Sequence, residues 1–209
     1  MIRTACRLAL TAVAAITLTA GCTSPTGSTA EQHGSAPAAA PATTSAATPA
    51  AAAVKLDDLL SAPVPKLCRH EPGNLVNGHL PMSDQIHGHV DVAKRQAPSD
   101  NYWVAFGDLT GDGVDDGALV TACSAGGVPW PATVQLYSAG PTRLGGVDLS
   151  DLTHGREVVT GLSIADGVVH VSWVTQGPND AECCGTVHMT GDLLWDGSKV
   201  LAENVKRIN

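Results

Sequence analysis

The 209-residue chain predicts a mostly β fold: a single antiparallel β domain (sandwich, barrel or propeller-like) behind a signal peptide and a disordered tether. Three observations carry this expectation. Apolar and polar residues alternate in short runs, the spacing of half-buried strands. Asp-Gly pairs stand between such runs, the strongest short-range hairpin signal. Only Val54 to Leu60 reads as a helix, and it is short and at the domain edge.

Taken in order, the chain opens with Arg3 and Arg7, a short positive region, followed by the uncharged apolar run Leu8 to Ala20. That run is about thirteen residues, too short to span a bilayer but the length of a signal core. It ends in Leu18-Thr19-Ala20-Gly21-Cys22, which resembles the lipobox of bacterial lipoproteins. The resemblance implies cleavage after residue 21, diacylglyceryl transfer to the Cys22 thiol, and anchoring in the cell membrane on its outer, extracytoplasmic face. Acyl chains hold a protein there because each buried methylene contributes roughly 0.8 kcal/mol. Residues 22–53 are then a tether made almost entirely of Ala, Pro, Ser, Thr and Gly, with Glu31 as its one formal charge. Such a segment buries too little apolar surface to offset the entropy of ordering.

Residues 54–209 form the expected globular β domain, of a size that supports a real core. Its strand candidates are Tyr102 to Phe106, Ala118 to Cys123, and Thr133 to Tyr137 with Val134 and Leu136 on one face. Val158 to Ile164 and Val168 to Val174 flank Asp166-Gly167, and Val169, Val171 and Trp173 share a face opposite His170 and Ser172. Leu193 to Trp195 and Lys199 to Leu201 flank Asp196-Gly197-Ser198, a second hairpin. Gly145-Gly146 reads as a further turn. No internal repeat supports a propeller.

The chain has 20 acidic and 12 basic residues, net charge −8. That excludes the basic footprint of a nucleic-acid binder and suits a soluble surface that meets divalent cations. Outside the cytosol, Cys68, Cys123, Cys183 and Cys184 read as disulfides. Three pairings are open. Adjacent cysteines rarely bridge, since an eight-membered ring strains the intervening peptide, which favours Cys68 and Cys123 each reaching one of Cys183 and Cys184. The alternatives are a redox-active vicinal pair or a thiolate metal site.

One constellation carries chemistry. Counted from Asp108, side-chain oxygens fall at positions 1, 3 and 5 (Asp108, Thr110, Asp112), Gly113 at 6, the Val114 carbonyl at 7 and Asp116 at 9. This is the ligand spacing of a calcium loop. Position 12 is Leu119 where an EF-hand has Glu, and the flanks read as strands. With Phe106-Gly107 before it, the stretch resembles the FG-GAP calcium loop of integrin-like and actinobacterial secreted proteins. It departs from them at Thr110 and in its single copy. The resemblance implies one weak Ca²⁺ site of the extracellular class, roughly 10⁻⁴ to 10⁻³ M.

More widely, Leu67-Cys68-Arg69-His70, Leu75-Val76-Asn77-Gly78, the segment Cys123 to Pro131 and Cys183-Cys184 resemble elements of an actinobacterial family of secreted proteins. That implies origin and localisation but no activity. No catalytic motif is present. Ser124 lacks the Gly-x-Ser-x-Gly frame of a nucleophile elbow, and no carboxylate pair stands out for glycoside hydrolysis. His79, His87 and His89 could take Zn²⁺ or Cu²⁺, though with Gly78 and Gly88 beside them they read as a polar surface loop. Of the four tryptophans, Trp130, between Pro129 and Pro131, is the one expected to be exposed; Trp103, Trp173 and Trp195 read as core. The expectation is therefore a non-enzymatic surface module that binds a cell-wall glycan or a protein, steadied by calcium. The alternative is a metal-handling or hydrolytic extracytoplasmic protein.

Overall fold

A computed structural model describes residues 52–83, 87–99, 101–181 and 183–208. The signal peptide, Cys22 and all but the last two residues of the tether lie outside the described residues. The helix candidate at the domain edge forms one turn, α1 (Leu56–Leu59), and a small hairpin follows from β1 (Pro63–Val64) and β2 (Gly73–Asn74).

Two larger antiparallel sheets follow, and neither closes into a barrel. The first contains β3 (His89–Val92), β4 (Val104–Gly107), β5 (Asp116–Ser124), β6 (Thr133–Ser138) and β7 (Thr142–Asp148). Its order is β3-β5-β6-β7. β3 pairs with Thr121–Ser124 and β4 with Asp116–Leu119, so both lie along the same strand. After a one-turn helix, α2 (Ser150–Thr153), the second sheet is a plain meander of β8 (Val158–Ala165), β9 (Val168–Thr175), β10 (Val187–Trp195) and β11 (Val200–Ile208).

The period-2 pattern sets how these layers pack. Ala118, Val120, Val134 and Leu136 share a core with Val169, Val171, Trp173 and Leu193 of the second sheet. The intervening residues Leu119, Cys123 and Tyr137 face the other way, into a core built by Leu59, Val64, Leu67, Leu75, Leu80 and Val90. The first sheet is thus covered on both faces, which explains why Ala118 to Cys123 is a continuous apolar run broken only by Thr121 rather than an alternating one. Tyr137 keeps its hydroxyl satisfied in this interior by donating to the Pro63 carbonyl at 2.8 Å.

Both expected hairpins form. Ala165 faces Val168, and the turn residues Asp166 and Gly167 take φ of 52° and 77°, the left-handed pair of a type I′ turn. Trp195 faces Val200, and the Asp196 carboxylate accepts from the Ser198 and Lys199 amides at 2.8 and 2.9 Å.

Two expectations are corrected. Gly145 and Gly146 are not a turn; they lie inside β7, opposite Leu136 and Gln135. A Cβ on Gly146 would stand 2.5 Å from Gln135 Oε1 and 2.6 Å from the Val134 carbonyl oxygen, so the strand needs glycine for close approach, not for bending. The cysteines do not cross-pair. Cys68 bonds Cys123, with Cα atoms 6.3 Å apart, and Cys183 bonds its neighbour Cys184. The first pair sits in the core beneath the first sheet, while Cys183 and Cys184 are both exposed on the β9–β10 connection. A disulfide needs its Cα atoms within about 7 Å.

Candidate ligand groove

The Asp-rich segment spans the β4–β5 connection, between strands as expected. Asp108 curls it inward: its Oδ1 accepts from the Gly111 amide at 2.6 Å and its Oδ2 from the Gly113 amide at 2.8 Å. Gly111 and Gly113 hold φ of 78° and 83°, a left-handed geometry that glycine adopts without steric cost. The Gly113 bond, foremost, holds the Asp108 carboxyl below its ordinary range, and the Gly111 bond adds to this. Asp112 Oδ1 accepts from the Val114 amide. Asp116 is fully buried; its Oδ2 accepts from the Leu109 and Thr110 amides, both at 2.9 Å, and its Oδ1 has no partner.

This geometry fits a calcium ion only in part. The unpartnered oxygen of a buried carboxylate calls for a donor or a cation. Against that, among the described residues no group of three or more His, Cys, Asp or Glu side chains is placed to hold a metal. An ion would have to draw Asp108, Asp112 and Asp116 together with Thr110 and the Val114 carbonyl.

The histidines serve different partners. His79 Nδ1 pairs with Asp91 Oδ1. His89 begins β3, rather than lying in a loop, and its Nδ1 shares a 3.2 Å hydrogen bond with Ser124 Oγ. His87 lines a separate cleft beside Arg69 and His70.

A second candidate site lies at the opposite, N-terminal end of β8. Five stretches of the chain build a groove of about 520 Å³, within the range of ligand pockets. Val158 and Val174, paired across β8 and β9, contribute to its lining. One side is Val128, Pro129 and Trp130 from the β5–β6 connection; another is Cys183, Cys184 and Gly185 from the β9–β10 connection. Val128 is 57% exposed, Val158 51% and Trp130 42%. Gln96, Arg156 and Gln176 also line the groove, with Gln176 Oε1 accepting from the Arg156 amide.

Local chemistry explains each side. Gly126 and Gly127, both with positive φ, turn the chain sharply after β5. The Trp130 amide then donates back to the Cys123 carbonyl at 2.8 Å, and prolines on both sides fix the neighbouring φ angles. The other side is clamped by Asp180, which accepts from the Gly177 and Thr186 amides, both at 2.7 Å, and from the Thr186 hydroxyl at 2.8 Å. Those bonds, the Gly177 one foremost, hold its carboxyl below the ordinary range. The buried Glu157 also lines the groove: its Oε1 gathers the Thr153 hydroxyl, the Gly155 amide and the Thr175 hydroxyl, and its Oε2 has no partner. Trp173 Nε1 in turn donates to Thr153 Oγ1 at 3.1 Å, so the groove rests on the main core.

Trp130 is exposed and Trp173 fully buried, as the sequence predicts, whereas Trp103 is only half-buried against the core and Trp195, half-buried, belongs to neither core cluster. What sequence reasoning missed was the meeting of Val128–Trp130 with Cys183–Gly185. Local signals mark each segment, a tryptophan between prolines and a cysteine pair on a turn-rich connection, but neither marks their meeting. No family model, no curated protein and no solved structure matches this chain.

Proposed function

We propose that the chain is a non-enzymatic binding module, tethered through a lipid on Cys22 to the outer face of the cell membrane, and that the Trp130 groove takes a cell-wall glycan. The observation that carries this reading is the convergence of three exposed apolar residues, Val128, Trp130 and Val158, on one groove that Gln96, Arg156 and Gln176 also line. Scattered exposed apolar residues need no explanation, whereas a contiguous patch does. A sugar ring offers an apolar C–H face for the indole and hydroxyl edges for planar polar groups. The test is cosedimentation of the protein with insoluble cell-wall polysaccharide. Trp130→Ala should weaken retention, and equal retention by the variant would sink the proposal.

A second reading is favoured by the unpartnered Oδ1 of buried Asp116. Here the 108–116 loop takes one weak calcium ion that steadies the domain without touching the groove. A site near ten times its Kd stabilises by about 1.4 kcal/mol. Melting in 5–10 mM Ca²⁺ (on the order of ten times a millimolar-class Kd), in Mg²⁺ and in EDTA distinguishes the cases: a rise with Ca²⁺ alone, lost in Asp112→Ala, supports calcium, and identical melts remove it.

A further inference from the structure

We propose that Cys183–Cys184 is a thiol–disulfide exchange site that resets one side of the Trp130 groove. The inference rests on the groove reading for its consequence, while the exchange itself needs no ligand.

The two disulfides differ in access. Cys123 is 4% exposed and Cys68 packs against the same core. Cys183 and Cys184 are both exposed and line the groove together with Trp130. Exchange requires a thiolate to approach a sulfur, so access separates the pairs under native conditions. An external dithiol therefore meets Cys183–Cys184 first. One thiolate of the dithiol attacks one sulfur, the bond between Cys183 and Cys184 breaks, and the released thiolate takes a proton. The second thiol of the reagent then displaces the remaining protein sulfur and closes its own disulfide. The protein gains two electrons and two protons; the dithiol loses both.

The consequence is confined by the clamp already described. The pair closes a ring around a single peptide bond, so reduction frees that peptide. Asp180 still ties Gly177 to Thr186, and the Cys184 amide still donates to the Ala181 carbonyl at 2.9 Å. The base of the connection is retained and its tip is released, and that tip is what faces the groove. Oxidised and reduced forms then present different surfaces to the same ligand, with the domain core unchanged.

The test uses the oxidised full chain, titrated with dithiothreitol at neutral pH, trapped with iodoacetamide and mapped peptide by peptide. Cys183 and Cys184 should label together at a dithiol concentration about tenfold below that needed for Cys68 and Cys123. Over the same range the tryptophan emission should change in the wild type but not in Trp130→Phe, and oxidised dithiol should reverse it. Labelling of all four cysteines together, of Cys68 and Cys123 first, or of Cys183 and Cys184 before any dithiol overturns the proposal. So does an emission that stays constant while the pair is reduced. Because no glycan enters this experiment, failure of the glycan reading leaves its outcome readable on its own.

Discussion

Gly185 sets how closely the Cys183–Gly185 segment lies against the end of β9, and adding one methyl there tests the placement. An alanine Cβ would stand 2.5 Å from the Thr175 carbonyl carbon and 3.0 Å from the Gln176 nitrogen, and closer still to the Thr175 oxygen. All of these are backbone atoms, so no side chain can swing aside. Gly185 is not among the positive-φ glycines, which leaves steric overlap as the only penalty. Overpacking of this kind costs about 1–3 kcal/mol. In a domain of this size each kcal/mol shifts Tm by about 2–4 °C, so a mid-range cost of about 2 kcal/mol lowers Tm by about 4–8 °C. Because the segment is bounded by solvent, part of the strain relaxes by moving it outward, and Trp130 emission should shift as well. Gly161→Ala is the control: its nearest neighbour is Ser172 Cβ at 3.3 Å, and its melt should fall much less. Differential scanning calorimetry and fluorescence on both variants decide the matter. A Gly185→Ala protein with wild-type Tm and emission would refute the packing described for the groove.

Other consequences follow from the carboxylates and the anchor. Asp116→Ala strips the buried Leu109 amide and the Thr110 amide of their acceptor and should cost about 2–4 kcal/mol by chemical denaturation in EDTA; a neutral result would mean the amides find other partners. Asp108 and Asp180 have folded pKa values below the ordinary 3.8. The unfolded state binds their protons more readily, so their contribution is full above about pH 4–5 and is lost as pH falls through the lowered values. Tm should be flat from pH 7 to 5 as far as these two groups act, then fall, less steeply in Asp180→Asn; a fall unaltered by that substitution would remove Asp180 from the account. Cys22→Ser should move the protein from the detergent phase to the aqueous phase in a phase-partition assay, and retention of both forms in detergent would argue against a lipid on Cys22.

Much of the fold was legible because its signals are local. The Asp166-Gly167 turn, the alternation of Val169, Val171 and Trp173, and the Asp196-Gly197 loop each declare themselves within about ten residues. β1, β2 and β3 gave little signal: two are two-residue strands, and β3 begins with a histidine beside glycine. Gly145-Gly146 misled because a glycine pair marks a turn and a close approach alike, and only the neighbours Gln135 and Val200 tell them apart. The cysteine pairing was closed to sequence for the same reason, since it depends on which layer each cysteine occupies. Trp130 could be picked out by its flanking prolines. Its meeting with Cys183–Gly185 could not, because it is made by the β9–β10 connection folding back beside the start of β8.

Cosedimentation with insoluble cell-wall polysaccharide reads ligand binding by the Trp130 groove without an intermediate step. An aromatic anchor at the centre of a binding site contributes about 2 kcal/mol or more, which is about a 30-fold loss of affinity on truncation. Trp130→Ala should fall out of the pellet at polysaccharide concentrations that retain the wild type, with Tm unchanged. Equal retention of the two proteins, or no retention of either, would contradict it.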